Sequence, residues 1–190
     1  PYLVDAPDIL LPRRTKPLSN APQMTKGSQP TDGGNLLLTD VEKNQLLAVE
    51  PKAAPWIRPF LGANEFINGI PRWCLWLKDI PPATLNKLPE VKRRVDAVKA
   101  MRKISTKAIT VRLAQTPMLF AEDRQINAPY LLIPRVSSET RRYVPIGYMD
   151  ANVVCSDANF MLPNASLYEF AILTSTMHNA WMRYTCGRLE

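Results

Sequence analysis

Apolar positions change period along the chain, and each change marks an element. Residues 1–34 hold apolar residues only in short groups such as Ile9-Leu10-Leu11, among six prolines (1, 7, 12, 17, 22 and 30) and three glycines. That pattern predicts an extended, proline-rich arm rather than a core element. Thr31-Asp32-Gly33-Gly34-Asn35 then reads as a turn, since paired glycines take positive φ without steric cost. After Leu36-Leu37-Leu38, Thr39 and Glu42 have the spacing of a capping box, which predicts a short helix to about Val49, ended by Pro51 and Pro55. Residues 56–70 read as a helical turn and loop packed on the core through Trp56, Phe60 and Phe66. The apolar run over residues 72–78 fits a strand covered on both faces, stopped by Pro81-Pro82. Over residues 89–115, Val91, Val95, Val98, Met101, Ile104, Ala108 and Val111 recur at intervals of three and four, so the longest predicted helix lies there, with one apolar stripe.

The second half changes character. Residues 130–136 and 143–149 read as two strands joined by a polar tip, with Pro134 and Pro145 implying edge positions or bulges. Shorter strands are expected at Val153 to Cys155 and Asn159 to Leu162. Ser166 and Glu169 form a second capping box, opening a helix that carries Phe170, Leu173, Met177, Trp181 and Tyr184 on compatible positions, with Gly187 placed to end it. The expected class is therefore α+β: a small, mostly antiparallel sheet packed against a long basic helix and a C-terminal helix. The expected division is an arm over 1–34 and a folded domain over 35–190.

Composition adds a partner class to this picture. The 190 residues, 46% hydrophobic and 22% charged, suit one ordinary folded core. No run of about 18 apolar residues is present, so no membrane span is expected. The opening Pro1-Tyr2-Leu3-Val4-Asp5 lacks both an initiator methionine and a signal-peptide pattern, and reads as a piece of a longer protein. Cys74, Cys155 and Cys186 are odd in number and widely spaced, which fits buried small hydrophobes in a reducing, cytoplasmic setting better than a disulfide framework or a zinc site with His178. The net charge is +7, and the nine basic residues between Lys87 and Arg112, against Glu90 and Asp96, account for a surplus equal to that total. Such clustering points to an anionic partner. Lys92, Lys99, Lys103 and Lys107 recur at helical spacing as a ridge apart from the apolar stripe; phosphate contact and a plain solvated face both explain it.

Catalytic signatures are missing. The chain has no GxSxG elbow, no HExxH, no Walker loop and no GxGxxG after a strand. Glu122-Asp123 are adjacent rather than opposed, and Asp40-Val41-Glu42-Lys43 lacks the spacing of a nuclease triad.

Two polar loops carry groups able to read a duplex. Arg135, Ser137, Ser138, Glu139, Arg141 and Arg142 lie at the tip between two strands. Arginine can donate twice to the O6 and N7 edge of guanine, glutamate can accept from cytosine N4, and serine serves either role. A solvated turn with balanced charges explains the same composition. Arg124, in the loop 123–127, and Asn164, before the second capping box, are further candidates for phosphate, the latter because a helix N-terminus presents backbone donors. Trp56, Trp73, Trp76 and Trp181 could stack on bases, although tryptophan at such periodicity more often belongs to the core.

Several segments taken together carry a family resemblance: Asp32-Gly33-Gly34-Asn35-Leu36-Leu37-Leu38, Ile57-Arg58-Pro59-Phe60-Leu61-Gly62, Glu65-Phe66-Ile67-Asn68-Gly69, Arg72-Trp73-Cys74-Leu75-Trp76-Leu77, Tyr130-Leu131-Leu132-Ile133-Pro134-Arg135-Val136-Ser137-Ser138-Glu139, and Cys186-Gly187-Arg188-Leu189. In this order they are similar to the target recognition domain of MmeI-like enzymes, the type IIL restriction-modification proteins. The resemblance implies a bacterial, cytoplasmic parent polypeptide that joins an endonuclease domain, a helical spacer, an S-adenosylmethionine-dependent adenine methyltransferase domain, this domain and a helical tail. It implies further that methyl transfer and cleavage, with S-adenosylmethionine and magnesium, reside elsewhere in that parent, since this chain lacks the NPPY-type tetrapeptide and the glycine-rich cofactor motif. Neither cofactor nor metal is expected in the chain itself. Double-stranded DNA is the implied partner, together with the methyltransferase and C-terminal helical domains of the same polypeptide. On this reading Arg135, Ser137, Ser138, Glu139, Arg141 and Arg142 contact bases or the DNA backbone, while Lys92, Lys99, Lys103, Lys107, Arg124 and Asn164 hold phosphates and position the domain. The competing reading is a module that braces its neighbours and touches DNA little.

Overall fold

A computed structural model of the chain describes residues 20–187. In chain order its strands are β1 (Thr25–Lys26), β2 (Leu37–Thr39), β3 (Ile57–Leu61), β4 (Arg72–Leu75), β5 (Tyr130–Pro134), β6 (Gly147–Met149), β7 (Val154–Cys155) and β8 (Asn159–Pro163). The helices are α1 (Asp40–Val49), α2 (Ala63–Asn68), α3 (Pro82–Leu85), α4 (Pro89–Lys103), α5 (Ala108–Arg112), α6 (Leu167–Thr174) and α7 (Thr176–Thr185), with 3-10 turns at Pro51–Trp56 and Leu113–Gln115. The α+β class holds, and the strands are mostly antiparallel, but they form two four-stranded sheets rather than one. The first runs β1-β8-β5-β6, the second β2-β4-β3-β7, where β3 and β7 pair parallel.

Each sheet takes one of the two expected helical partners. Val91, Val95 and Val98 of α4 are buried in a core with Leu36, Leu38, Cys74, Leu75 and Phe120 over the second sheet. Burial of each such side chain contributes roughly 1.5–3 kcal/mol. Phe170 and Leu173 of α6 instead pack on Leu131, Ile133 and Leu162 of the first. Both predicted capping boxes are present: Glu42 closes back on Thr39, and Glu169 on Ser166. Gly33 and Gly34 take the positive φ expected of the turn, where the buried Asp32 carboxylate accepts from the N–H groups of Leu36 and Leu37.

Several expectations change. The helix predicted over 89–115 stops at Lys103, and α5 starts afresh after residues 104–107. Ile104, Ser105 and Thr106 are weak helix formers. Beyond them the chain turns so that the carbonyls of Leu113 and Thr116 meet the Arg102 guanidinium. Ile104 and Val111, placed on the apolar stripe by spacing, are consequently exposed. The single predicted C-terminal helix divides at Ser175, whose backbone is extended and whose hydroxyl accepts from His178 N–H to start α7. Met177, Trp181 and Tyr184 therefore do not continue the stripe of Phe170 and Leu173 but are exposed, and α7 ends at Thr185, ahead of Gly187. Residues 57–61, read as turn and loop, form a strand; Pro59 is accommodated because pairing with β7 begins only at Phe60.

Pro134 sits in an interior strand, not at an edge. It is the last residue of β5, opposite Asn159, after β6 has ended at the Leu132–Gly147 pair, so its missing N–H faces no partner strand. Of the expected arm, residues 1–19 lie outside the described residues. Residues 25–29 are woven into the fold: β1 pairs with β8, Ser28 bridges to Ser156 and Gln29 to Glu122. This is the joint between the sheets, where Asn159 Nδ2 donates to Leu61 O at 2.9 Å. A Cβ on Gly27 would stand 2.2 Å from the Ser156 carbonyl oxygen, so only glycine allows the approach.

Candidate nucleic-acid interface

The expected tip is longer than a tight hairpin. β6 begins at Gly147 rather than Tyr143, leaving residues 135–146 as the connection from β5. Within it Ser138 organises a small turn: its hydroxyl lies 2.8 Å from Thr140 Oγ1 and accepts from Thr140 N–H, and its carbonyl accepts from Arg141 N–H at 3.2 Å. Serine and threonine favour such local loops over sheet pairing. Glu139, Thr140, Arg141 and Arg142 are exposed on this turn, so an acceptor and two guanidinium donors sit within four residues at the open end of the first sheet. Arg142 lies over the Tyr143 ring, 5.3 Å from its centroid.

The flanking candidates are placed differently. Arg135 folds back, donating to Asp157 O at 3.1 Å and lying over Phe160. Ser137 is half-buried, with its hydroxyl oxygen enclosed and without a hydrogen-bond partner. The projecting part of the turn is thus 138–142. Behind it, Asn179 and Arg183 of α7 bind the backbone of residues 141–144. The apolar spacing of this helix gives Asn179 and Arg183 no role; their four-residue spacing on a polar face is the signal that marks them.

The basic segment sorts itself by geometry. Arg93 pairs with Glu90 at 2.9 Å, Arg94 with Glu42 at 3.1 Å, and Arg102 is fully buried. Lys92, Lys99 and Lys103 remain exposed on one stripe of α4, although Lys92 Nζ also donates to Asn86 Oδ1 at 2.9 Å. Lys107 is exposed but lies past the break, at the start of α5, off that stripe. These lysines belong to the helix over the second sheet and the turn to the first, so the two groups of candidates are carried by different layers.

Arg124 and Asn164 are less available to an anion than their sequence contexts suggest. The Arg124 guanidinium is engaged by Glu122 at 2.9 Å. In the same loop Gln125 turns inward, donating to Val153 O and accepting from Cys155 N–H. Asn164 is exposed, with a φ of 51°, but the adjacent helix start is filled by its own carboxylate: Ser166 N–H and hydroxyl both donate to Glu169. Those bonds hold the Glu169 carboxyl below its ordinary pKa. The tryptophans divide as well, with Trp76 buried, Trp56 and Trp73 packed against the core, and Trp181 exposed.

Burial pushes the Cys155 thiol up to about 12 and raises Cys74 as well, so neither is a ready nucleophile. Among the described residues no three His, Cys, Asp or Glu side chains are grouped to hold a metal ion.

Comparison with known proteins places this geometry in a lineage. The family described as "MmeI, target recognition domain" matches residues 5–190. DNA methyltransferase A of Bacillus subtilis (strain 168) is 36% identical over 190 residues, covering 100% of this chain and 22% of that protein. A solved structure of the type IIL restriction-modification enzyme MmeI in complex with DNA is similar with a TM-score of 0.91 and 43% identity, over 98% of this chain and 25% of that one. The chain therefore spans about a quarter of the length of these relatives, 22% of one and 25% of the other.

Proposed function

The chain belongs to the MmeI target recognition domain family, and on that premise we propose that it reads the sequence of double-stranded DNA through the 135–142 connection. The observation that carries this reading is the exposed Ser138–Arg142 turn: within five residues it presents a carboxylate acceptor and guanidinium donors, the groups that distinguish base pairs in the major groove. Glu139, Arg141 and Arg142 are the foremost base-contact residues, with Ser138 shaping the turn and Arg135 and Ser137 supporting its base. Lys92, Lys99 and Lys103 hold phosphates, with Lys107 following the chain beyond the helix break. Arg124 and Asn164 take lesser parts, since Glu122 already pairs with Arg124 and the Glu169 carboxylate occupies the helix start beside Asn164.

The relatives are much longer, so the proposed parent joins this domain to a separate S-adenosylmethionine-dependent domain that methylates adenine at N6, and to a magnesium-dependent endonuclease, in the bacterial cytoplasm. Among the described residues no helix is long and apolar enough to cross a membrane. The bracing role considered from sequence joins this reading rather than displacing it. Met177, Trp181 and Tyr184 leave an exposed apolar face on α7, which suits packing against the methyltransferase or C-terminal helical domain of the same polypeptide.

The test is a map of methylated adenines in DNA modified by the full-length parent, repeated with Glu139 and Arg141 exchanged for each other. The expected result is a change of preferred base at one or two positions of the site, with the rest of the site retained. An unaltered map would overturn the assignment of the turn.

A further inference from the structure

The turn is held from behind by one stripe of α7. Thr176, Asn179 and Arg183 recur at intervals of three and four residues, so they share a face, and all three engage the same short stretch of chain. Arg183 Nη2 donates to the main-chain carbonyls of both Arg141 and Arg142, the latter at 2.9 Å. Asn179, only 4% exposed, accepts from Val144 N–H through Oδ1 at 2.8 Å and is itself fixed by Nδ2 donating to Ser175 O at 2.8 Å. The Tyr143 hydroxyl lies 3.4 Å from Thr176 Oγ1.

Fixing consecutive carbonyls fixes the peptide planes on both sides of Arg142, and with them the directions in which the Arg141 and Arg142 side chains leave the backbone. Hydrogen bonds to base edges weaken steeply with misalignment, whereas attraction to phosphate charge does not depend on so narrow a geometry. Resting on the proposed reading of the turn, we infer that Asn179 and Arg183 are positioning residues for sequence discrimination: they aim the turn without touching DNA. The inference separates two quantities. Loosening this clamp lowers selectivity among sites and leaves the electrostatic grip on the duplex intact. Because Arg183 is exposed, its removal lets water take over the two carbonyls, and the domain keeps its fold.

The experiment uses the full-length parent with Arg183→Met, Arg183→Lys and, as a second route to the same loosening, Asn179→Ala. Three quantities are measured: methylation of the recognised site relative to sites changed by one base pair, the salt dependence of DNA binding, and the melting temperature. Discrimination at the position read by Glu139 or Arg141 is expected to fall about tenfold in Arg183→Met, within the range that one base contact contributes. Arg183→Lys, which keeps a donor of similar reach, recovers part of it, and the salt slope stays unchanged in all three. Unchanged discrimination in both Arg183→Met and Asn179→Ala overturns the inference. So does a salt slope reduced by about 0.9, which would make Arg183 a phosphate contact. A loop exchange that leaves the methylation map untouched sinks the reading of the turn itself; a loop exchange that shifts the map, with no effect of either α7 substitution, sinks the clamp alone.

Discussion

Arg102 and Arg183 do the same chemistry in opposite surroundings. Each gives guanidinium N–H groups to main-chain carbonyls rather than to a carboxylate. Arg102, with no exposed surface, donates to five of them, on Pro30, Thr31, Leu113, Thr116 and Leu119, at 2.8 to 3.1 Å. Arg183 is exposed and reaches two. The first draws the chain entering the second sheet, the 3-10 turn after α5 and the loop beyond it into one dry node. The second steadies a turn that water still surrounds. A charge buried among carbonyls is costly to disturb, because every acceptor it leaves is then unpaired in a low-dielectric interior. The same loss at a surface is met by solvent. The molecule thus couples a frame locked by a buried charge, the second sheet with α4, to an exposed edge on the first, the turn proposed to read DNA.

The comparison breaks or sharpens under substitution, and the frame should show the largest effects. Arg102→Met is expected to destabilise the domain by about 3 kcal/mol or more. That corresponds to a fall of roughly 6–12 °C in melting temperature for a chain of this size, read by calorimetry. Site preference of the protein that stays folded should not change, and a changed preference would dissolve the division between frame and edge. Gly27→Ala should cost about 2 kcal/mol, since its Cβ would meet backbone oxygens of Cys155 and Ser156 and force the sheets apart at their joint. A variant as stable as the parent would show that the joint yields. The smallest effect belongs to the lysine stripe. Lys99→Gln should leave stability and preference alone and reduce the salt slope of DNA binding by about 0.9; an unaltered slope removes Lys99 from the interface.

Legibility from sequence follows the range of the interactions. Both capping boxes were readable because their partners stand three residues apart, and the Gly33-Gly34 turn because positive φ is a property of single residues. The strands β4, β5, β7 and β8 were readable from short apolar runs. The α4 helix was legible, but its end was not. Ile104 and Val111 continue the period of three and four, whereas the weak helix formers 104–106 and the buried Arg102 side chain, taking carbonyls from beyond the break, turn the chain out of register. The candidate interface divides the same way. Residue type made Arg135, Ser137, Ser138, Glu139, Arg141 and Arg142 alike candidates for base contact, whereas nothing local distinguished Arg135, folded onto Asp157 O, from the arginines that project.

The amino-acid sequence by itself determined the α+β class, the starts of α1, α4 and α6, the basic helix and the polar composition of the turn, because each depends on residues within one or two turns of chain. Tertiary structure decided which charges face outward, how two sheets share one joint, and which helix holds the turn. Those outcomes rest on bonds across 71 residues from Arg102 to Thr31, 98 from Asn159 to Leu61 and 42 from Arg183 to Arg141. A side chain so placed has no signature in its own neighbourhood; its role exists only once burial and loop closure have brought its acceptors within hydrogen-bonding reach.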